Sequence, residues 1–593
     1  MGLRLDLYPP PEVDGAPPVH LTPVDRLCVT FAGDRCRSGP LTIGQGTMYQ
    51  WIVDERPYDE MISAPLPLPA GTTLADLVAV LGILITENET LRTTFRFDGT
   101  PAQHVADCGE LWVEVYRDDG TATTDAALAE ELFRRLRATE FDPATDLPVR
   151  VAVVAEGNVA RVAAMVYHHL AVDLTGVALL SRRIATMLAG PGRRRVEPRR
   201  HQPLDQADAE HSPRGRRRAE ATARYWTDVL MSMPQCNFPL PRSDQAAPGE
   251  PLAGWLWSRA AATALPHIVS RTSVNGPIAV LAALGAVLAA RTGQPHCVIQ
   301  ALSNNRFETR LRDYVGILAS DGLVSLEVTT PGFDELVRRA GTAVLKAGLC
   351  SPIDRLEKIR LLDAARHLRG TSYGRYCTFN YPGAAYEADL PATRELGDPA
   401  AAASAMSETS IVWLDWPHAS EMLGFRLLQK DEGLHFGAIA RDRRQIPPAE
   451  VELLLRGVER LLVGAATGDV PLNRVAEVTG VEPVVRGPQW RRVDRCLVEL
   501  PEVRRLLQDA VRSPLARVFA VPSEGDGLRL EAYLPSGLVP GPREAHDACV
   551  ALLPGRGTAM ASHRYVICDG APADLDDLTA WRGRPVLTAG DGR

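Results

Sequence analysis

Two adjacent histidines, His168 and His169, stand at the end of an apolar run, and Asp173 follows the second by four residues. An imidazole that is neutral near pH 7 can take a proton from an attacking amine or alcohol, which makes the pair candidate catalytic groups. The spacing aims one ring outward from a strand end while the other packs back, with Asp173 where a cap or an ion pair would fix the turn. Read alone, the same residues also describe an ordinary polar turn with a helix cap, so the pattern leaves both open.

Other chemistry is sparse. The ten cysteines are scattered, with no Cys-x-x-Cys pair and no His-Cys cluster at ligand spacing, so neither a metal site nor a disulfide framework is expected. Only Lys346, Lys358 and Lys430 are lysines among the 65 basic residues, so none lies beyond position 430. A formal net charge of −8 gives no global reason for a nucleic-acid or membrane partner.

The elements that must position the histidines are legible around them. The run 147–169 predicts two strands about a Glu156-Gly157-Asn158 turn, the second delivering His168 and His169. Val177, Leu180, Ile184 and Met187 then share one helix face, capped by Asp173 or Thr175. Upstream, Thr73 and Asp76 open an apolar helix to about Thr86; 90–99 and 111–118 read as strands and 124–142 as a helix. The arginine-laden 192–218 reads as a solvated crossover that forms no core. Beyond it, 424–439 is a hairpin about Asp431-Glu432-Gly433, and 447–466 is a closing helix.

At 593 residues the chain exceeds a single core, and 45% hydrophobic with 23% charged residues describes an ordinary globular protein. Arg4 and Asp6 break the apolar start, so no secretion signal is read there. The most apolar window, 74–85, is too short for a bilayer and carries Asp76. A cytoplasmic location is expected.

"MVYHHLAVDL" resembles the His-His-x-x-x-Asp-Gly motif of condensation domains from nonribosomal peptide synthetases, within the chloramphenicol acetyltransferase-like superfamily. Further segments resemble that family in the same order: "LTIGQGTMYQW" (41–51), "ENETLRTTF" (87–95), "ARYWTDVL" (223–230) and "NNRFETRLRDYVGILAS" (304–320). The resemblance implies an α/β protein whose two lobes form a V around a central tunnel. It makes His169 the central catalytic histidine and His168 its neighbour that packs or orients the turn. Asp173 becomes a structural aspartate paired with an arginine, for which Arg306 is the candidate. Leu174 stands where the family has glycine, with Gly176 two places on, and "VGILASDG" lacks the family's Val-Asn. Leu174, Gly176 and Gly316 are accordingly expected at the tunnel. Residues 481–593 resemble the small α+β C-terminal subdomain of adenylation domains, without the late lysine of that family.

The expected organisation is an irregular lead-in (1–40), an N-terminal lobe (41–215), a C-terminal lobe (216–475) and the appendage (481–593). The implied reaction joins an acyl or aminoacyl thioester, held on the phosphopantetheine of an acyl- or peptidyl-carrier protein, to a small-molecule or carrier-bound amine. No intrinsic cofactor is implied, and the acyl group must arrive already activated. The alternatives are a catalytically silent module that binds carrier proteins, and an acyltransferase using acyl-coenzyme A or an alcohol acceptor. The arginine-laden crossover has a second reading besides a solvated linker, a basic surface that attracts an acidic carrier protein.

Overall fold

The computed structural model describes residues 19–55, 61–121, 124–197, 200–240, 249–374, 377–381, 396–416, 419–430, 433–523 and 527–593. The expected turn residues Asp431 and Glu432, and residues 1–18 of the expected lead-in, lie outside the described residues. The rest of the lead-in is not irregular: Leu21–Ala32 is a strand paired antiparallel with Cys108–Asp118, and Arg37–Pro40 is a second strand. The chain divides into two compact units. The first holds the described residues up to Glu220 together with Ser303–Ser320; the second holds Ala221–Leu302, Asp321–Tyr381 and the chain from 396 to Arg593. The segment carrying Arg306 thus packs with the first unit, although it lies between strands of the second.

In the first unit the elements run β1 (Leu21–Ala32), β2 (Arg37–Pro40), α1 (Ile43–Glu55), β3 (Met61–Pro65), α2 (Leu74–Glu87), β4 (Thr93–Arg96) and β5 (Ala102–Val105). They continue with β6 (Cys108–Asp118), α3 (Asp125–Leu136), β7 (Val149–Glu156), β8 (Val159–His168), α4 (Leu174–Leu188), α5 (Pro203–His211) and α6 (Pro213–Ser232), which carries the chain out of the unit. The main sheet has the order β1-β6-β7-β8-β3, and β2-β5-β4 form a smaller one. β7 and β8 are the expected hairpin, antiparallel from Val149↔Tyr167 to Glu156↔Val159.

β8 reads as a nearly unbroken apolar run because both of its faces are covered. Ala163, Met165 and Tyr167 enter the core built with α2 and α4, whereas Val162, Ala164 and Val166 enter the core built with α3. α2 begins with the expected capping box, Thr73 and Asp76 bonding reciprocally, and buries Leu77, Val80, Leu81, Leu84 and Ile85.

Two further expectations are corrected. The stretch 90–99 is not one strand: Glu89–Arg92 is a 3-10 turn and only Thr93–Arg96 is extended. Buried side chains of Glu89 and Arg92 tie that turn down, and the Thr93 hydroxyl donates to the Glu89 carbonyl. Nor is 192–218 a coreless crossover, because it contains α5 and the start of α6, with Leu204 and Ala207 buried. Gln202 and Asp205 form a capping box at Pro203, and arginine, glutamate and alanine are good helix formers despite their polarity.

The second unit contains β9 (Leu252–Ser258), α7 (Arg259–Thr272), α8 (Gly276–Thr292), β10 (His296–Ser303), β11 (Ser320–Glu327), α9 (Phe333–Leu349), α10 (Arg355–Arg369) and β12 (Cys377–Asn380). α11 (Ala400–Ala405), β13 (Ser410–Asp415), β14 (Leu423–Lys430), β15 (Gly433–Ala440), α12 (Pro448–Ala466) and α13 (Val475–Thr479) complete its larger part. Its seven strands run β11-β10-β12-β14-β15-β9-β13.

Residues 481–593 form a hairpin (Trp490–Val493 with Cys496–Glu499) and a four-stranded sheet. Three helices accompany it (Leu500–Val511, Pro542–Ala551, Leu578–Arg582), around a hydrophobic core of its own. No single helix among the described residues is long and apolar enough to cross a membrane.

Candidate active site

The alternation of β8 sorts the two histidines. His168 continues the even-numbered face and is 5% exposed, its ring edge-on to Phe141 at 5.5 Å between centroids. Its Nδ1 accepts the Leu170 N–H (3.1 Å), which leaves the ring proton on Nε2. Burial, reinforced by the charges of His169 and Arg150, pushes its pKa down to about 4. His168 is a neutral packing group.

His169 begins the turn and is half-buried. Its Nδ1–H donates to the Val172 carbonyl at 3.0 Å, which selects the tautomer with the lone pair on Nε2, the arrangement a general base requires. The indole of Trp51, on α1, stands 6.1 Å from the imidazole at an interplanar angle of 78°.

Asp173 caps α4, its Oδ1 accepting the Gly176 N–H at 2.8 Å. It is 1% exposed, and Arg306 meets both oxygens, NH1 to Oδ2 and NH2 to Oδ1, each at 2.9 Å. The N–H groups of Leu318 (2.9 Å) and Ala319 (3.1 Å) complete Oδ2. Burial alone would raise the carboxyl; the guanidinium and these donors outweigh it and hold the pKa below the usual carboxylate range. Arg306 also donates to the carbonyls of Asn304, Tyr314 and Gly316.

The remaining expected residues surround this pair. Leu174 is half-buried and packs against the α2–α4 core. Gly176 has ordinary van der Waals room for a Cβ, whereas at Gly316 a Cβ would overlap the Tyr314 ring. Gly316 is therefore required by the packing of the loop that carries Arg306.

Several supporting residues were not singled out from the sequence. The Thr90 hydroxyl donates to the Ala171 carbonyl at 2.5 Å, so the "ENETLRTTF" turn holds the histidine loop from beneath. Gln45 closes the start of α1, its Oε1 accepting Thr42 N–H and its own N–H reaching Thr42 Oγ1. Glu210 of α5 accepts the Ile43 N–H at 2.8 Å, tying α1 to the segment read as a crossover. The sequence signal for the first two was membership of the resembling segments; for Glu210 there was none.

A condensation-domain family model matches residues 41–354. A probable non-canonical nonribosomal peptide synthetase, CymA, from Salinispora arenicola (strain CNS-205) is 27% identical over 293 residues, 47% of this chain. The chain spans only 4% of the length of that relative.

Among solved structures, the X-domain from teicoplanin biosynthesis is similar over 75% of this chain and 98% of its own (21% identity, TM-score 0.53). The condensation domain of chain release from the enacyloxin polyketide synthase covers 74% of this chain and 85% of its own (17%, 0.55). For the first condensation domain of the CDA synthetase the figures are 74% and 98% (18%, 0.52). With more than half of its length matched by the family model, the chain belongs to the condensation-domain family of nonribosomal peptide and related natural-product biosynthesis.

Proposed function

We propose that the chain is an amide-forming condensation enzyme. The observation that carries this reading is the tautomer of His169, whose Nδ1–H is anchored on Val172 while Nε2 holds the lone pair. The donor would be an acyl or aminoacyl thioester on the phosphopantetheine of an acyl- or peptidyl-carrier protein. An amine nitrogen attacks the thioester carbonyl, His169 Nε2 accepts the nitrogen's proton, and the C–S bond breaks as that proton passes to the departing sulfur. An α-amine, with a pKa of about 8, is already partly neutral near pH 7.5, so it asks little of the base. Asp173 is committed to Arg306 and to backbone N–H groups, so the motif's carboxylate serves the loop, not the imidazole. That division suits an amine better than an alcohol.

Residues 481–593 would take no part in activating the acyl group, because no lysine follows Lys430. The test is transfer from a loaded carrier protein to an amine by the native chain and by His169→Ala. General-base assistance is worth roughly 10²–10⁴ in rate, and a loss in that range is expected. Undiminished transfer would overturn the reading.

The second reading is a silent module that binds other components of the assembly line. The likeness to the teicoplanin X-domain and Leu174 in place of glycine favour it. Under this reading the native chain transfers nothing, and His169→Ala leaves product formation in the host unchanged while deletion of the chain abolishes it.

A further inference from the structure

The arginines of α6 and of the segment after Arg306 form one surface of the first unit. α6 opens with Arg214, Arg216, Arg217 and Arg218 and has no acidic residue in its first turn. Four cations therefore stand against one another and against the positive end of the helix, an arrangement that costs stability. Facing them, the 3-10 turn Thr309–Leu311 is flanked by Glu308 and Arg312 and contains Arg310.

Glu308 is the hinge of the cluster. Arg218 reaches it at 2.8 Å and Arg310 at 3.0 Å. Partial burial alone would raise its carboxyl, yet Arg310, Arg218 and Arg214 together hold it below the usual range. One carboxylate thus answers three guanidinium groups. Arg217 and Arg312 are exposed, with no ion pair among the described residues. Phe307, 43% exposed, sits in the same segment between Arg306 and Glu308.

The chain as a whole carries −8, so this cationic face runs against its overall sign. An excess of like charge kept around an exposed aromatic ring suits capture of an acidic globular partner, the field speeding encounter and the ring supplying an apolar anchor. A nucleic acid is the less fitting partner, because a single phenylalanine gives no stacking platform for its bases.

We propose that this arginine and Phe307 surface is the docking face for the acidic carrier protein that delivers the thioester, an inference that rests on the condensation reading. The segment 303–320 supplies both Phe307 and Arg310 to the surface and Arg306, Leu318 N–H and Ala319 N–H to Asp173, so docking would bear on the loop that holds His169.

The test is a titration of a purified holo peptidyl carrier protein into the full chain at 50 and 300 mM salt. It is repeated with the triple variant Arg214→Glu/Arg217→Glu/Arg312→Glu, with Phe307→Ala, and with a DNA duplex as competitor. None of the three arginines forms a hydrogen bond or ion pair with His169, Asp173 or Arg306 among the described residues. Binding is expected to weaken with salt, to fall about tenfold in the triple variant, and to fall severalfold with unchanged salt dependence in Phe307→Ala. Equal carrier affinity in the native chain and the triple variant overturns the surface. So does the absence of carrier binding, or displacement of the carrier by DNA. Transfer of the same acyl group from free pantetheine should be untouched by the triple variant and lost in His169→Ala. A chain that binds the carrier through these arginines yet transfers from neither donor would overturn the reaction and leave the docking face standing.

Discussion

Arg306 and Asp173 meet through two parallel hydrogen bonds of 2.9 Å, with both side chains almost completely removed from solvent. A guanidinium and a carboxylate match in this geometry as no lysine could, because both nitrogens point along the carboxylate's lone pairs. Asp173 in turn caps α4 and holds Leu318 and Ala319, so one ion pair fixes the helix after the histidines and the loop beside it.

Removing either partner leaves a buried charge uncompensated. Asp173→Ala is expected to cost about 3–5 kcal/mol of the first unit's stability, and Arg306→Lys to restore little when compared with Arg306→Ala. Equilibrium unfolding in urea measures both. The double variant Asp173→Ala/Arg306→Met should lose much less than the two single losses combined. Strict additivity would show that the pair does not act as a unit.

His168 gives the first unit an acid limb. Its folded pKa, about 4, lies below the ordinary histidine value of about 6.5, so between those values the unfolded chain binds the proton and the folded chain does not. The stabilisation is complete above pH 6.5 and is lost as pH falls towards 4, amounting to about 3 kcal/mol at most. His563 in the second unit is likewise pushed to about 4 by burial and slopes the same way. His168→Phe should flatten the first unit's share of this dependence when stability is compared at pH 5 and 7.5, and it should spare transfer activity far more than His169→Ala. A first unit equally acid-sensitive without His168 would place that titration elsewhere.

Much of the site is legible in the sequence for a geometric reason. A strand has period two, so in "RVAAMVYHH" the even positions that bury Val162, Ala164 and Val166 must also bury His168, and His169 faces the other way. Asp173 as the cap of α4, and the helix face of Val177, Leu180, Ile184 and Met187, follow from equally local rules. What stayed hidden is set by residues distant in sequence. Nothing near Glu210 announces that it receives the Ile43 N–H 167 residues away, and the arginines around α5 and α6 mask two real helices because they have high helix propensity but supply no apolar periodicity. Only the family resemblance points to Arg306; no periodicity brings position 306 to position 173.

Thr90 offers a way to disturb the histidine loop without touching either ring. Its hydroxyl is buried and donates to the Ala171 carbonyl, two residues past His169. Thr90→Val keeps the shape and removes the donor, leaving a carbonyl unpaired at a cost of about 1–3 kcal/mol. Transfer should fall while the His169 side chain stays intact, and Thr90→Ser should recover most of it. If Thr90→Val transfers normally, the turn at Glu89–Arg92 holds the loop by packing alone.

Arg369 decides whether residues 481–593 are a separate body or part of the second unit. Its guanidinium, with the side chain only 3% exposed, donates to Asp494 Oδ2 (2.8 Å) and the Asp494 carbonyl (2.9 Å). The same group donates to the carbonyls of Leu230 (2.8 Å) and Met233 (2.6 Å). Nearby, Ala561 N–H meets the Gly370 carbonyl and His546 Nε2 meets the His367 carbonyl, each at 2.8 Å. A piece held by backbone carbonyls and a buried cation does not swing on a linker. Arg369→Met should therefore loosen 481–593, so that limited proteolysis cuts between Thr479 and Trp490 in the variant and leaves the native chain whole. Truncation after Gly480 should leave Arg369 without its carboxylate and the second unit markedly easier to unfold. A truncated chain as stable as the full one would make the appendage a passenger.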